Sequence, residues 1–179
     1  MITLMDSRLR RQLLGAAALS CLGAAPPGLR AQGLIAGPLA TGALMPWPAI
    51  ALLDGSVLSP EAWRDTGAVI VFWATWCPFC KGHNPHVQKL HEALAGQPVR
   101  VLGVALDKDP ELVRRHAARE GLRFPMAMDD GRLRALLSPR RVVPLTCIID
   151  RSGRLRQAIP GEMFEEDVLE LGKLALSRG

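Results

Sequence analysis

The sequence predicts an α/β layer fold: a central mixed β-sheet flanked by helices, opened by an N-terminal β-hairpin and carrying an inserted strand-helix element. Three observations predict it. The short apolar runs 68–73 and 99–106 are rich in β-branched residues and continuous enough for strands buried on both faces. Stretches with apolar residues at helical spacing alternate with those runs, as layered α/β chains require. Near the C-terminus, residues 145–150 and 155–159 face each other across Arg151-Ser152-Gly153, which adds an antiparallel hairpin to the sheet.

In chain order, Arg8, Arg10 and Arg11 precede an uncharged apolar stretch from Leu13 to Ala25, and Pro26-Pro27 ends it. That order fits a signal peptide, residues 1–31, cut near Ala31 so that the mature chain begins at Gln32. Arg10-Arg11 also resembles a twin-arginine export signal. Cys21 is read as part of the signal peptide, with a lipid anchor there as the lesser reading. Residues 32–46, rich in Gly, Pro and Ala, are expected to be a lead-in linker to a domain over 47–179. Residues 49–53 and 56–58 flank Asp54-Gly55 as a hairpin with a primed two-residue turn. Ser59-Pro60-Glu61 suits a helix start. After the strand 68–73, a helix is expected from Cys77 to about Leu94. Then follow strand 99–106, polar helix 111–120, strand 124–128 and short helix 132–137. The last helix is placed over 162–177, with Phe164, Val168, Leu171, Leu174 and Ala175 on its inner face.

Composition narrows the function. The 179 residues are 49% hydrophobic and 22% charged, a globular mixture rather than a disordered chain. The formal charge of +5 is concentrated at the N-terminus; without residues 1–31 it falls to +2, so the high isoelectric point is no argument for nucleic acid. Export to the cell envelope would permit disulfides. The mature chain would hold three cysteines, Cys77, Cys80 and Cys147, an odd count that leaves one thiol over.

The chemistry gathers where a buried strand meets a helix: Phe72-Trp73-Ala74-Thr75-Trp76-Cys77-Pro78-Phe79-Cys80. A spacing of three puts both sulfurs in one turn. Free N–H groups and the positive end of the helix favour a thiolate at Cys77. Pro78 suits the first turn, where its missing N–H costs nothing. Such a dithiol can attack another disulfide and resolve the mixed disulfide internally. A structural zinc half-site and a static disulfide are the plainer alternatives. Cys147, in an apolar strand, reads as a buried, inert thiol.

This segment resembles the active site of the thioredoxin superfamily, and in particular its exported TlpA/ResA-like thiol-disulfide oxidoreductases. Pro85 matches the proline in the family's active-site helix. Val143-Pro144-Leu145-Thr146 matches the loop whose cis-proline faces the dithiol, and residues 150–155 match the hairpin after it. Residues 107–128, with Phe124-Pro125, match the strand and helix that these proteins insert. The resemblance spans roughly residues 47–176. It implies a thioredoxin-like fold with Cys77 as nucleophile, Cys80 as resolving cysteine and a redox-active Cys77–Cys80 disulfide. It also implies support from Trp76, Pro78, Phe79, Val143 and Pro144, with no bound cofactor and no metal.

The sequence departs from the family in places. Val71 and Gly103 stand where cytoplasmic thioredoxins have a buried aspartate and its lysine partner. His83 replaces a glutamate common three residues after the second cysteine, and becomes a candidate modulator of the thiols' ionisation or a partly exposed helix residue without a task. Expected partners are protein thiols and disulfides and a membrane or periplasmic redox protein, with cytochrome c maturation among the roles and a monomer as the form. The alternatives are a net dithiol oxidant, and a copper carrier using the thiols with His83 or His86.

Overall fold

The computed structural model describes residues 38–138 and 141–179; the signal-peptide reading, Cys21 included, lies outside them. Two short strands, β1 (Ile50–Ala51) and β2 (Val57–Leu58), form an antiparallel hairpin, and a 3₁₀ turn follows at Pro60–Trp63. The main sheet contains β3 (Gly67–Trp73), β4 (Val99–Ala105), β5 (Met126–Met128), β6 (Leu145–Ile149) and β7 (Leu155–Pro160). Its helices are α1 (Pro78–Ala93), α2 (Pro110–Glu120), α3 (Arg132–Leu137) and α4 (Glu165–Leu176). The strand order is β5-β4-β3-β6-β7. The pairs β3/β4 and β4/β5 are parallel, whereas β3/β6 and β6/β7 are antiparallel. This is the mixed, helix-flanked sheet of the thioredoxin fold, with α2 and β5 as the inserted element.

Alternation along the strands builds two cores. Val69, Val71, Trp73, Val101 and Ile148 face one side with Val87 and Leu90 of α1 and Val168 and Leu171 of α4. Ile70, Phe72, Leu102, Cys147 and Ile149 face the other with Trp63, Leu133 and Leu137. β3 is buried at every position because helices or turns cover both its faces. Gly103, paired in register with Val71, lets the sheet close on its cover: a Cβ there would lie 2.7 Å from Phe124 Cε2 and 2.9 Å from Trp73 Nε1.

Three expectations are corrected. Part of the expected linker belongs to the domain: the N–H groups of Gly42 and Met45 donate to the carbonyls of Leu155 and Gly153, and Met45 is buried. Its backbone finds partners on the β6–β7 hairpin, which a solvated linker would lack. The first hairpin turns through three residues rather than two. Leu52 N–H bonds Ser56 O, Gly55 N–H bonds Leu52 O, and Gly55 takes φ 88°. α4 starts at Glu165, so Phe164 sits at the cap, outside the helical register, and is 80% exposed instead of inward.

Candidate active site

β3 delivers the chain to the site, and α1 begins immediately beyond it. Cys77 is the cap of α1 rather than its first helical residue: its Sγ accepts the N–H of Cys80 at 3.2 Å. A sulfur thus occupies the place where a serine or aspartate side chain would ordinarily satisfy the helix's free donors. That bond satisfies one of the free N–H groups at the start of α1. Cys77 also lies 3.7 Å from the carbonyl of Val143, toward which its thiol points. The Val143–Pro144 bond is cis. Residues 66 positions apart in the chain therefore meet at the attacking sulfur.

Cys80 lies deeper. It is 1% exposed against 5% for Cys77. Burial pushes its thiol well above the ordinary range; its contact with Cys77 and the negative charge of Asp107 add to that. Both cysteines are free thiols in this structure. The two sulfurs are unequal: one caps the helix and keeps slight exposure, the other lies deeper with its proton held.

Asp107 is the residue that sequence reasoning missed. It follows β4 and is nearly buried, and its Oδ2 and Oδ1 accept the Thr75 N–H at 3.0 Å and the Thr75 hydroxyl at 2.6 Å. The clamp fixes the turn that carries Trp76 and Cys77. Its only sequence signal was the matched threonine and aspartate at the ends of adjacent parallel strands.

Pro78 opens α1. Trp76 and Phe79 are exposed, 65% and 62%, beside the dithiol, whereas Trp73 is fully buried. Pro85 lies inside α1. Cys147 is fully buried in β6, and burial pushes its thiol up to about 12.

His83 is corrected outright. It is fully buried, not partly exposed. Nε2 lies 3.0 Å from Thr146 Oγ1, and Nδ1 faces the Met163 N–H at 3.4 Å. An Nδ1 that accepts places the ring proton on Nε2, which donates to Thr146. Burial, with His86 nearby, holds the ring down to about 4, so it is neutral at physiological pH. It supplies no positive charge to the thiols; it ties α1 to β6 two residues beyond Pro144. Both His83 nitrogens face partners within the protein, and His86 Nδ1 lies 3.5 Å from Glu165.

A helix-capping dithiol set against an X-Pro loop on this sheet defines a thiol-disulfide oxidoreductase of the thioredoxin fold. Comparison with known proteins agrees. The profile of the Redoxin family matches residues 40–172, and the chain belongs to that family. It is 34% identical over 108 residues to the thiol-disulfide oxidoreductase ResA of Geobacillus kaustophilus, covering 59% of this chain and 61% of that one. It is 31% identical over 132 residues to the ResA of Geobacillus thermodenitrificans, covering 73% and 75%. A thiol:disulfide interchange protein of the thioredoxin family from Chlorobium tepidum has the same fold. Its TM-score is 0.70 and its identity 24%, over 78% of this chain and 99% of that one. The chain is thus a TlpA/ResA-like member of the thioredoxin superfamily, a protein thiol-disulfide oxidoreductase.

Proposed function

We propose that the protein works in the cell envelope as a dithiol reductant of other proteins' disulfides, with Cys77 attacking and Cys80 resolving. The observation that carries this reading is the inequality of the two sulfurs. Cys77 Sγ accepts the Cys80 N–H at the mouth of α1, while Cys80 is buried below it with its proton held.

The Cys77 thiolate attacks one sulfur of a substrate disulfide. A mixed disulfide forms and one substrate thiolate leaves. Cys80 then gives up its proton and attacks the Cys77 sulfur. The second substrate thiolate leaves and the Cys77–Cys80 disulfide remains. Two electrons pass from enzyme to substrate, and a dithiol protein of the envelope must return them. Delayed ionisation of Cys80 suits this order, because an early second thiolate would compete for the substrate. Pro144 and the Val143 carbonyl form the wall against which an extended substrate would lie, with Trp76 and Phe79 beside it. Cytochrome c maturation is one process that needs such a reductant.

Two arms test the chemistry. Cys80→Ser should accumulate mixed disulfides through Cys77, whereas Cys77→Ser should accumulate few. Equal trapping by both variants would overturn the assignment. Envelope location rests on the order of arginines, apolar stretch and proline break in residues 1–31. N-terminal sequencing of protein recovered from the envelope should begin near Gln32, and an intact Met1 in cytosolic protein would refute it.

A further inference from the structure

Beside the dithiol runs an open groove of about 540 Å³. Trp76, next to Cys77 in the chain, forms part of its wall, and Leu106 and Met128 contribute an apolar floor. Arg141 stands at the other side, two residues before the Val143 carbonyl that faces Cys77. Two of its lining residues thus stand close in the chain to the reacting sulfur and to the carbonyl that faces it.

Its charges are unevenly matched. Three carboxylates line it, and each is engaged. Asp107 accepts both donors of Thr75. Asp129 accepts the Arg134 Nε–H at 2.6 Å and the Gly131 N–H at 2.9 Å. Asp130 accepts the Arg132 Nε–H at 2.8 Å and the Arg132 N–H at 3.0 Å. The other two lining cations, Lys108 and Arg141, are exposed and form no ion pair among the described residues. With Asp129 and Asp130 neutralised by arginines, two free positive charges face the single buried negative charge of Asp107. Another exposed cation, Lys81, follows Cys80 on α1. The opposite flank, at the start of α4, carries exposed Glu162, Glu166 and Asp167. The unpaired charge of the groove is thus net positive, whereas the start of α4 is acidic.

We propose that this groove receives an acidic stretch of the substrate polypeptide next to its reactive cysteine, recognised by Lys108 and Arg141 and packed against Trp76. The proposal rests on the dithiol-reductant reading and names its substrate class. An extended segment leaving Cys77 past Trp76 enters the groove, where its carboxylates meet two cations that form no ion pair among the described residues. On the α4 side the same carboxylates would meet like charge. Solvent-exposed pairs of this kind act mainly on the rate of encounter and on the choice of partner, and salt screens them.

The test uses matched short peptides, each holding one disulfide, with Asp and Glu, Asn and Gln, or Lys beside the cysteine. Wild-type protein should reduce the acidic peptide with kcat/KM about tenfold above the neutral one at low salt, and the ratio should fall as ionic strength rises. Joint replacement Lys108→Gln and Arg141→Gln should bring the ratio near one, and Lys108→Glu with Arg141→Glu should invert it in favour of the basic peptide. Binding of cysteine-free versions, followed at the Trp76 indole by NMR, separates docking from chemistry. Turnover without charge preference would overturn the groove proposal and leave the reductant reading standing. Charge-selective binding without turnover of any peptide would do the reverse. No selective binding and no turnover would overturn both.

Discussion

Replacing His83 by leucine should remove a pH-dependent share of the protein's stability. The ring is fully buried and held at about 4, against its ordinary value of 6.5. Unfolding exposes it and restores the ordinary value, so between pH 6.5 and 4 the unfolded chain binds a proton that the native one refuses. Stability is full above pH 6.5 and is lost as pH falls toward 4. The gap of about 2.5 units corresponds to about 3 kcal/mol. Leucine removes that loss but strands the Thr146 hydroxyl and the Met163 N–H, at about 1–3 kcal/mol each. At pH 7.5 the variant should therefore be less stable than wild type by about 2–6 kcal/mol. On acidification the two should converge. Urea unfolding of the reduced proteins between pH 7.5 and 4 reads this directly. His91 and His116, whose rings burial also lowers, and the carboxylates titrate in both proteins and cancel in the difference. Parallel stability curves would refute the claim that His83 is a neutral brace.

Two further outcomes follow from the packing around the dithiol. Asp107→Ala strips both partners from Thr75 and should destabilise the protein by about 2–4 kcal/mol in denaturant titration. Burial is the main reason Cys80 keeps its proton and the Asp107 charge adds to it, so in a Cys77→Ser background the same change should speed alkylation of Cys80. Gly103→Ala forces a methyl against Phe124 and Trp73 and should cost about 1–3 kcal/mol, measured by the same titration.

Much of this site can be read along the chain because its parts are local. The sulfurs are three residues apart, Pro78 marks the helix start, and the apolar run before them is the signature of a strand covered on both faces. What escapes such reading lies between distant segments. Thr75 meets Asp107 across 32 residues and His83 meets Thr146 across 63, so no local pattern tells a buried, doubly bonded histidine from an exposed one on the same helix. The lead-in is hidden for a related reason. Gly, Pro and Ala in residues 38–46 suggest a loose tether, yet the hairpin of β6 and β7 offers backbone partners that their side chains do not advertise. Phe164 errs the other way, since helical spacing extended past the true cap assigns it a buried face.

The central claim is that one sulfur attacks and the other waits, and the site of first alkylation in the reduced protein tests it most directly. Limiting iodoacetamide near neutral pH, quenched early and mapped by mass spectrometry, should place the first label on Cys77. Cys80 and Cys147 should both lag, because burial holds the proton on each thiol. A first label on Cys80, or equal labelling of Cys77 and Cys80, would contradict the account.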